Sequence, residues 1–282
     1  MQLAASSKRQ VIRDVSSIYI AAIDDGLIGR NPTRAQSVTR PKPTEKKAKP
    51  WTLAQVDAMS RALPARYAVL PYLGAGSGMR QGEMFGLAIA DIVFLGRHPM
   101  IYVRRQVRLV GPVLCFAPVK NDKEHEVPLS EALKPILAEH IRQFPPRPVT
   151  LPWDAPDGEL VTHELIVTRP DGRAMDPTRF RESHWWPAQE KAAITPWRKS
   201  GEKRRPARDR GLHALRHTAA SAWLAGGVDI VAVAAWLGDT VKMVYETYAH
   251  LMPNSDDRGR SAMNAFFMEE PSAPDVPSQG RK

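Results

Sequence analysis

The sequence predicts an α+β fold, mainly helical, with one small antiparallel sheet. Apolar residues recur at i, i+3 and i+4 spacing along most of the chain, the mark of amphipathic helices. Runs rich in Val, Ile, Tyr and Phe are concentrated in residues 100–129, where turn residues separate them. With 282 residues, 43% of them hydrophobic, the chain can bury one large core and still carry appendages. No apolar run approaches the roughly 20 residues needed to span a bilayer, and no charged stretch leads into an apolar one at the N-terminus. A cytoplasmic protein without a membrane partner is expected.

Taken in order, Lys8 to Gly26 places Val11, Val15, Ile18, Ile20, Ala22 and Ile23 at mostly helical spacing, and Gly26 then Asn31-Pro32 close the segment. Residues 34–50 hold Arg40, Lys42, Lys46, Lys47 and Lys49 among prolines and read as an extended basic linker. Thr52 is a suitable N-cap, with Leu53, Val56 and Met59 behind it, so a second domain starts here. Helical patterns cover Ala65 to Leu73 and Arg80 to Ala88. Met100 to Val110, Val113 to Val119 and His125 to Leu129 read as strands, with Gly111-Pro112 and Asn121-Asp122 as turns.

A helix from Ser130 to Gln143 is stopped by Pro145-Pro146. Residues 144–180 read mostly as loop, with one strand near Glu164 to Thr168. A helix from Pro177 to Ala193 follows, then a basic loop from Trp197 to Gly211 holding Arg198, Lys199, Lys203, Arg204, Arg205, Arg208 and Arg210. From Leu212 to Leu251 the pattern is helical, broken at Gly226-Gly227 and Gly238. Residues after Met268 read as disordered tail.

Lys and Arg number 40 against 30 Asp and Glu, a net charge of +10. That balance fits nucleic acid, an anionic surface or an acidic partner, and charge alone does not choose. Cys115 is the single cysteine, which excludes an internal disulfide and a cysteine-based zinc site. Flanked by Leu114 and Phe116, it reads as a packed strand thiol.

Four stretches could carry chemistry. In GMRQGEM, Arg80 and Glu83 share a helical face just after a glycine-rich turn; the spacing fits a surface ion pair as well as a site. In HALRH, His213, Arg216 and His217 stand at i, i+3 and i+4 and can point one way. Two histidines four apart suit a metal, but the glutamate that would activate water is missing and Arg216 would repel the cation. A guanidinium beside imidazoles matches an oxyanion of phosphate, because it offers bidentate donors and keeps its charge. Lys120 stands at a turn between two strands. Tyr245 and Tyr248 lie three apart on the last clear helix, where packing would also explain them.

In this order the four stretches resemble the tyrosine recombinase (phage integrase) family, over about residues 51–267. GMRQGEM resembles the first arginine box, Lys120 falls on the β-hairpin lysine, HALRH matches the H-x-x-R box, and LGD followed by Tyr248-Ala249-His250 resembles the segment ending in the nucleophile. The resemblance implies a DNA clamp with residues 1–43 as the remnant of a helical core-binding domain, 44–50 as basic linker, 51–268 as catalytic domain and 269–282 as tail. Most of the core-binding domain and any arm-binding domain would then be absent, as in a truncated chain or gene fragment.

The resemblance also implies a site-specific recombinase that needs neither cofactor nor metal. Tyr248 would form a 3′-phosphotyrosine, Arg80 and Arg216 would hold the non-bridging oxygens, Lys120 would protonate the leaving 5′-oxygen, and His213 would share the tyrosine proton. Glu83 and His217 would support from behind. Spacing from Gly238 selects Tyr248 over Tyr245. Lys46, Lys47, Lys49, Arg198, Lys199, Lys203, Arg204 and Arg205 would grip DNA.

Implied partners are double-stranded DNA, further copies forming a tetramer on it with Phe266 and Phe267 as anchors, and an accessory DNA-bending protein, in a bacterial or phage setting. Where the family has histidine or tryptophan nine residues before the nucleophile, this chain has Asp239. It reads as an N-cap of the tyrosine helix, ahead of a carboxylic acid protonated near the phosphate or an orienter of His217 or an arginine. A relative that binds DNA without cutting it, and a type IB topoisomerase-like relaxing enzyme, fit the same residues.

Neutralising Arg204 and Arg205 together should weaken binding to every duplex alike, since phosphate contacts position rather than specify. The slope of log K against log salt should become shallower by about 0.9 for each phosphate that the protein no longer neutralises. Anisotropy titrations of two unrelated duplexes at several salt concentrations check both.

Overall fold

A computed structural model describes residues 5–41, 50–194, 211–252 and 256–268. The linker lysines 46, 47 and 49, the basic loop with Arg198, Lys199, Lys203, Arg204 and Arg205, and the tail lie outside them. The chain divides into two compact units, Met1–Lys47 and Ala48–Lys282.

In the first unit, α1 (Ala5–Asp24) is followed by a single 3-10 turn at Pro32–Arg34. Asn31 ties them together: its amide donates to Ser16 Oγ at 3.0 Å and its carbonyl oxygen accepts from Thr33 N at 3.0 Å. Val11, Ile18, Ile20 and Leu27 remain exposed, so this unit has no core of its own size to hide them.

The second unit opens with α2 (Leu53–Ala62), α3 (Val69–Ser77) and α4 (Gln81–Gly86). Thr52 caps α2 as the sequence predicts, its hydroxyl accepting from Gln55 N while the Gln55 side chain accepts from Thr52 N. The strands are β1 (Ile92–Val93), β2 (Met100–Val103), β3 (Arg105–Val110), β4 (Val113–Pro118) and β5 (His125–Pro128). Next come α5 (Leu133–Gln143), β6 (Arg147–Pro152) and β7 (Leu160–Leu165). A continuous stretch follows, α6 (Pro177–Phe180), a π turn (Arg181–Trp185) and α7 (Trp186–Lys191). The chain closes with α8 (His213–Ala225), α9 (Ile230–Leu237), α10 (Val241–Tyr248) and α11 (Asp256–Met268).

The expected single sheet is instead three small antiparallel ones, ordered β1-β2-β5, β3-β4 and β6-β7. The cause lies at Arg104. Its guanidinium and that of Arg105 both reach the buried carboxylate of Asp91, which consecutive residues of a regular strand cannot do because they leave on opposite faces. The chain bends there, so β2 pairs with β5 (Ile101 opposite Val127) while β3 pairs with β4 (Val107 opposite Phe116). Residues 144–160 also hold a strand the sequence hides among prolines, and β7 lies a few residues before the expected position.

Helices α2, α3, α5 and α8 surround one core in which Met59, Leu70, Leu73, Phe85, Leu137 and Leu215 have essentially no exposed surface. Trp51 stacks on Trp185, and its backbone N–H donates to Thr218 Oγ1 at 2.8 Å, tying the start of the unit to α8. A smaller cluster of Ala220, Leu224, Val233, Leu237, Val244 and Tyr248 joins α8, α9 and α10. Leu215→Ala should cost about 2–5 kcal/mol, the usual range for emptying a core leucine site, read as a lower urea midpoint at unchanged slope.

Candidate active site

Two glycines in the left-handed region shape the centre. Gly78 (φ 66°) ends α3, its N–H bonded to Gly74 O at 3.0 Å. A Cβ there would lie 2.7 Å from Leu237 Cδ2, so both the angle and the space demand glycine. Gly238 (φ 58°) ends α9 in the same way, and a Cβ there would meet the His125 ring at 2.6 Å. Each turn leaves a helix-end carbonyl facing inward.

Arg216 receives them. Three residues along α8 from His213 and 2% exposed, it donates from Nη1 to Gly78 O at 2.9 Å and from Nη2 to Leu237 O at 2.6 Å. The negative ends of two helices thus compensate a buried cation. Burial lowers its pKa, Arg80 lowers it further, and Asp239 opposes both.

Arg80 precedes α4. Glu83, fully buried on the first turn of that helix, accepts from Arg80 N at 2.7 Å and from Arg80 Nη1 at 2.8 Å. The Arg80 side chain is therefore clamped at both ends of its length.

Asp239 joins the two arginines. Its Oδ1 accepts from Arg80 Nη2 at 2.8 Å and its Oδ2 from Arg216 Nη2. This corrects the capping expectation: Thr240 is the N-cap of α10, its Oγ1 accepting from Met243 N at 3.2 Å. Both Asp239 carboxylate oxygens are instead engaged by the two arginines, which leaves the first-turn N–H of α10 to the Thr240 hydroxyl. Of the three roles the sequence leaves open, an orienter of an arginine is the one the geometry matches.

Tyr248 is the final residue of α10 and 5% exposed, whereas Tyr245 on the same helix is 58% exposed. The Tyr248 hydroxyl lies 2.6 Å from His217 Nδ1. Burial pushes the phenol up to about 12, with Arg216 pulling it down and Asp239 pushing it up. The His217 imidazole is held down at about 4 by burial and by the charges of His213 and Arg216. With the phenol protonated and the imidazole neutral, the hydroxyl donates to the ring.

His213, expected to share that proton, instead sets its ring edge-on against His217, 4.7 Å between centroids. One helical turn separates the two histidines, and it is the inner one that reaches the phenol. Desolvation, then Arg216 and Arg80, lower the His213 pKa; Asp239 raises it and Lys120 lowers it. Lys120 is thus within electrostatic range of the same cluster. It is exposed, on a 3-10 turn (Lys120–Asp122), and not on a hairpin: the strands before and after it pair in different sheets.

His125 was missed by sequence reasoning. It opens β5, packs on Gly238, and has its pKa lowered by burial while Glu83 raises it. The alternation with buried Val127 was the available signal. On the first unit, Arg9, Arg13, Arg34 and Arg40 line one groove with Ser16 and Ser17.

Two guanidiniums on one carboxylate, beside a phenol hydrogen-bonded to an imidazole, make an arrangement chemically able to hold an anion next to a hydroxyl. The chain belongs to the phage integrase family, whose model matches residues 52–255. It is 23% identical over 274 residues to a tyrosine recombinase XerC-like protein of Caldanaerobacter subterraneus subsp. tengcongensis, covering 90% of this chain but only 64% of that protein. The fold is similar to that of the Tn1549 transposon integrase in complex with transposon right end DNA (TM-score 0.70, 19% identity, 94% of this chain and 80% of that one). It is also similar to a lambda integrase from a tetramer bound to a Holliday junction (TM-score 0.55, 15% identity, 91% and 61%).

The His217 shift makes stability fall with acid. A group whose pKa is near 6.5 unfolded and about 4 folded contributes stability above pH 6.5 that is lost between pH 6.5 and 4. His217→Gln should flatten urea midpoints across that window relative to the parent chain, by at most about 3 kcal/mol.

Proposed function

We propose that this chain is a site-specific DNA recombinase acting through a 3′-phosphotyrosine. The observation that carries the reading is the convergence of Arg80 and Arg216 on one carboxylate, with the Tyr248 hydroxyl held by His217 within electrostatic range of both Arg216 and Asp239. A phosphodiester presents two non-bridging oxygens, as a carboxylate presents two, and guanidinium donors match either.

In the reaction, Tyr248 Oη attacks phosphorus while its proton passes to His217. The bond to the 5′-oxygen breaks and Lys120 supplies the proton that makes it a hydroxyl. Charge building on the non-bridging oxygens is met by Arg80 and Arg216, a contribution of ~3–4 kcal/mol per donor in preorganised sites. Attack by a 5′-hydroxyl on the phosphotyrosine reverses each step and rejoins a strand, so the bond energy is kept without a cofactor. His213, packed on His217, positions that ring. The arginine groove of the first unit, together with the basic linker and the 197–210 loop, would hold the duplex through its phosphates. Assembly into a tetramer on DNA, with Phe266 and Phe267 exposed on α11, follows the same reading.

One observation favours a second reading, a DNA-binding relative that does not cut: Asp239 occupies the donors a phosphate would need. A nicked suicide duplex separates the two. The parent chain and Tyr245→Phe should leave a covalent band on a denaturing gel, Tyr248→Phe should leave none, and Arg216→Lys should slow capture about 10²–10³-fold. A duplex bound at high affinity with no covalent band from the parent chain supports the second reading.

A further inference from the structure

We infer that Asp239 is a built-in occupant of the phosphate seat, an acidic side chain that the scissile phosphate has to displace before Arg80 and Arg216 can hold it. The inference rests on the recombinase reading for the identity of the incoming anion. It goes beyond that reading in making a residue of this chain a competitor of its substrate.

Three features of the geometry support it. Asp239 spans both guanidiniums, one oxygen to Arg80 Nη2 and one to Arg216 Nη2, as two non-bridging phosphate oxygens would. The other partners of the arginines are permanent. Gly78 O and Leu237 O are backbone carbonyls fixed by helix ends, and Glu83 is fully buried and pinned by the N–H of Arg80. The Asp239 side chain is 16% exposed and stands in the middle of the three-residue link, Gly238-Asp239-Thr240, between α9 and α10. Among the described residues it is the one charged partner of these arginines that stands outside a helix. The local charge also singles it out. Arg80 and Arg216 are matched one for one by Glu83 and Asp239, so the two guanidiniums carry no surplus charge until Asp239 leaves. Its removal exposes one donor on each guanidinium and a surplus positive charge, which is what a phosphodiester needs. It also takes away an anion that holds the Tyr248 proton on.

The test uses the full chain without DNA and inorganic phosphate as the probe, followed through the imidazole resonances of His213 and His217, which report binding at this centre and not elsewhere on a basic surface. Asp239→Asn should bind phosphate at least about tenfold more tightly than the parent chain, and Asp239→Ser should do the same, so that a folding defect in one variant leaves the other to decide. Equal or weaker phosphate affinity in a folded variant would overturn the inference, because Asp239 would then be organising the arginines and not excluding an anion from them. Suicide-duplex capture run in parallel separates this from the recombinase reading. A tenfold gain in phosphate affinity with no covalent adduct from any variant leaves the competitor role standing and removes the recombinase. Adducts from the parent chain with no gain in affinity remove the competitor role alone.

Discussion

A positive charge buried to 2% exposure has to be matched, and the way Arg216 is matched organises the second unit. Two of its partners are carbonyls at the ends of α3 and α9. For both to face one guanidinium, each helix has to stop in a left-handed turn, and the close approach of Gly78 to Leu237 and of Gly238 to His125 leaves no room for a side chain at either stop. Helix lengths, glycine positions and the packing of α8 between them follow from that one requirement. Breaking a buried pair by removing one partner costs about 3–5 kcal/mol, because the charge left behind stays buried. The arrangement is consequently as much a folding constraint as a functional one.

Burial first, and the same cation after it, set the proton balance around it. His217 sits one residue beyond Arg216 and takes the cost of its neighbours' positive charge, while the phenol it faces is shielded from water by the α8–α9–α10 cluster. A hydroxyl near 12 donating to an imidazole near 4 holds its proton firmly. At rest the Tyr248 phenol is therefore protonated and held against His217. A change in local charge would shift that balance, and Asp239, paired with both guanidiniums, is one of the charges that act on the phenol.

Membership in the phage integrase family accounts for residues 52–255, and the glycine turns, the buried Arg216 and the clamped Arg80 all fall inside that span. The departure is equally local. Asp239 is paired with two arginines instead of being left in solvent. The first unit, with its exposed apolar residues and arginine-lined groove, is described by different physics: little buried surface and concentrated charge.

Helical spacing and capping chemistry made α1, α2, α8, α9 and α10 legible in the sequence, because each is decided by neighbours three or four residues away. The four chemical stretches were legible for the same reason: residue types at fixed local spacing. The tertiary structure alone decided three matters. It split the expected single sheet at Arg104, since the pull of Asp91 on two consecutive arginines comes from 13 residues away. It gave the Tyr248 hydroxyl His217 and not His213 as its hydrogen-bond partner, since which face of α8 meets α10 depends on how α9 crosses between them. And it turned Asp239 from a presumed cap into a bridge, because Arg80 lies 159 residues distant in sequence and only the folded chain brings that guanidinium to the carboxylate.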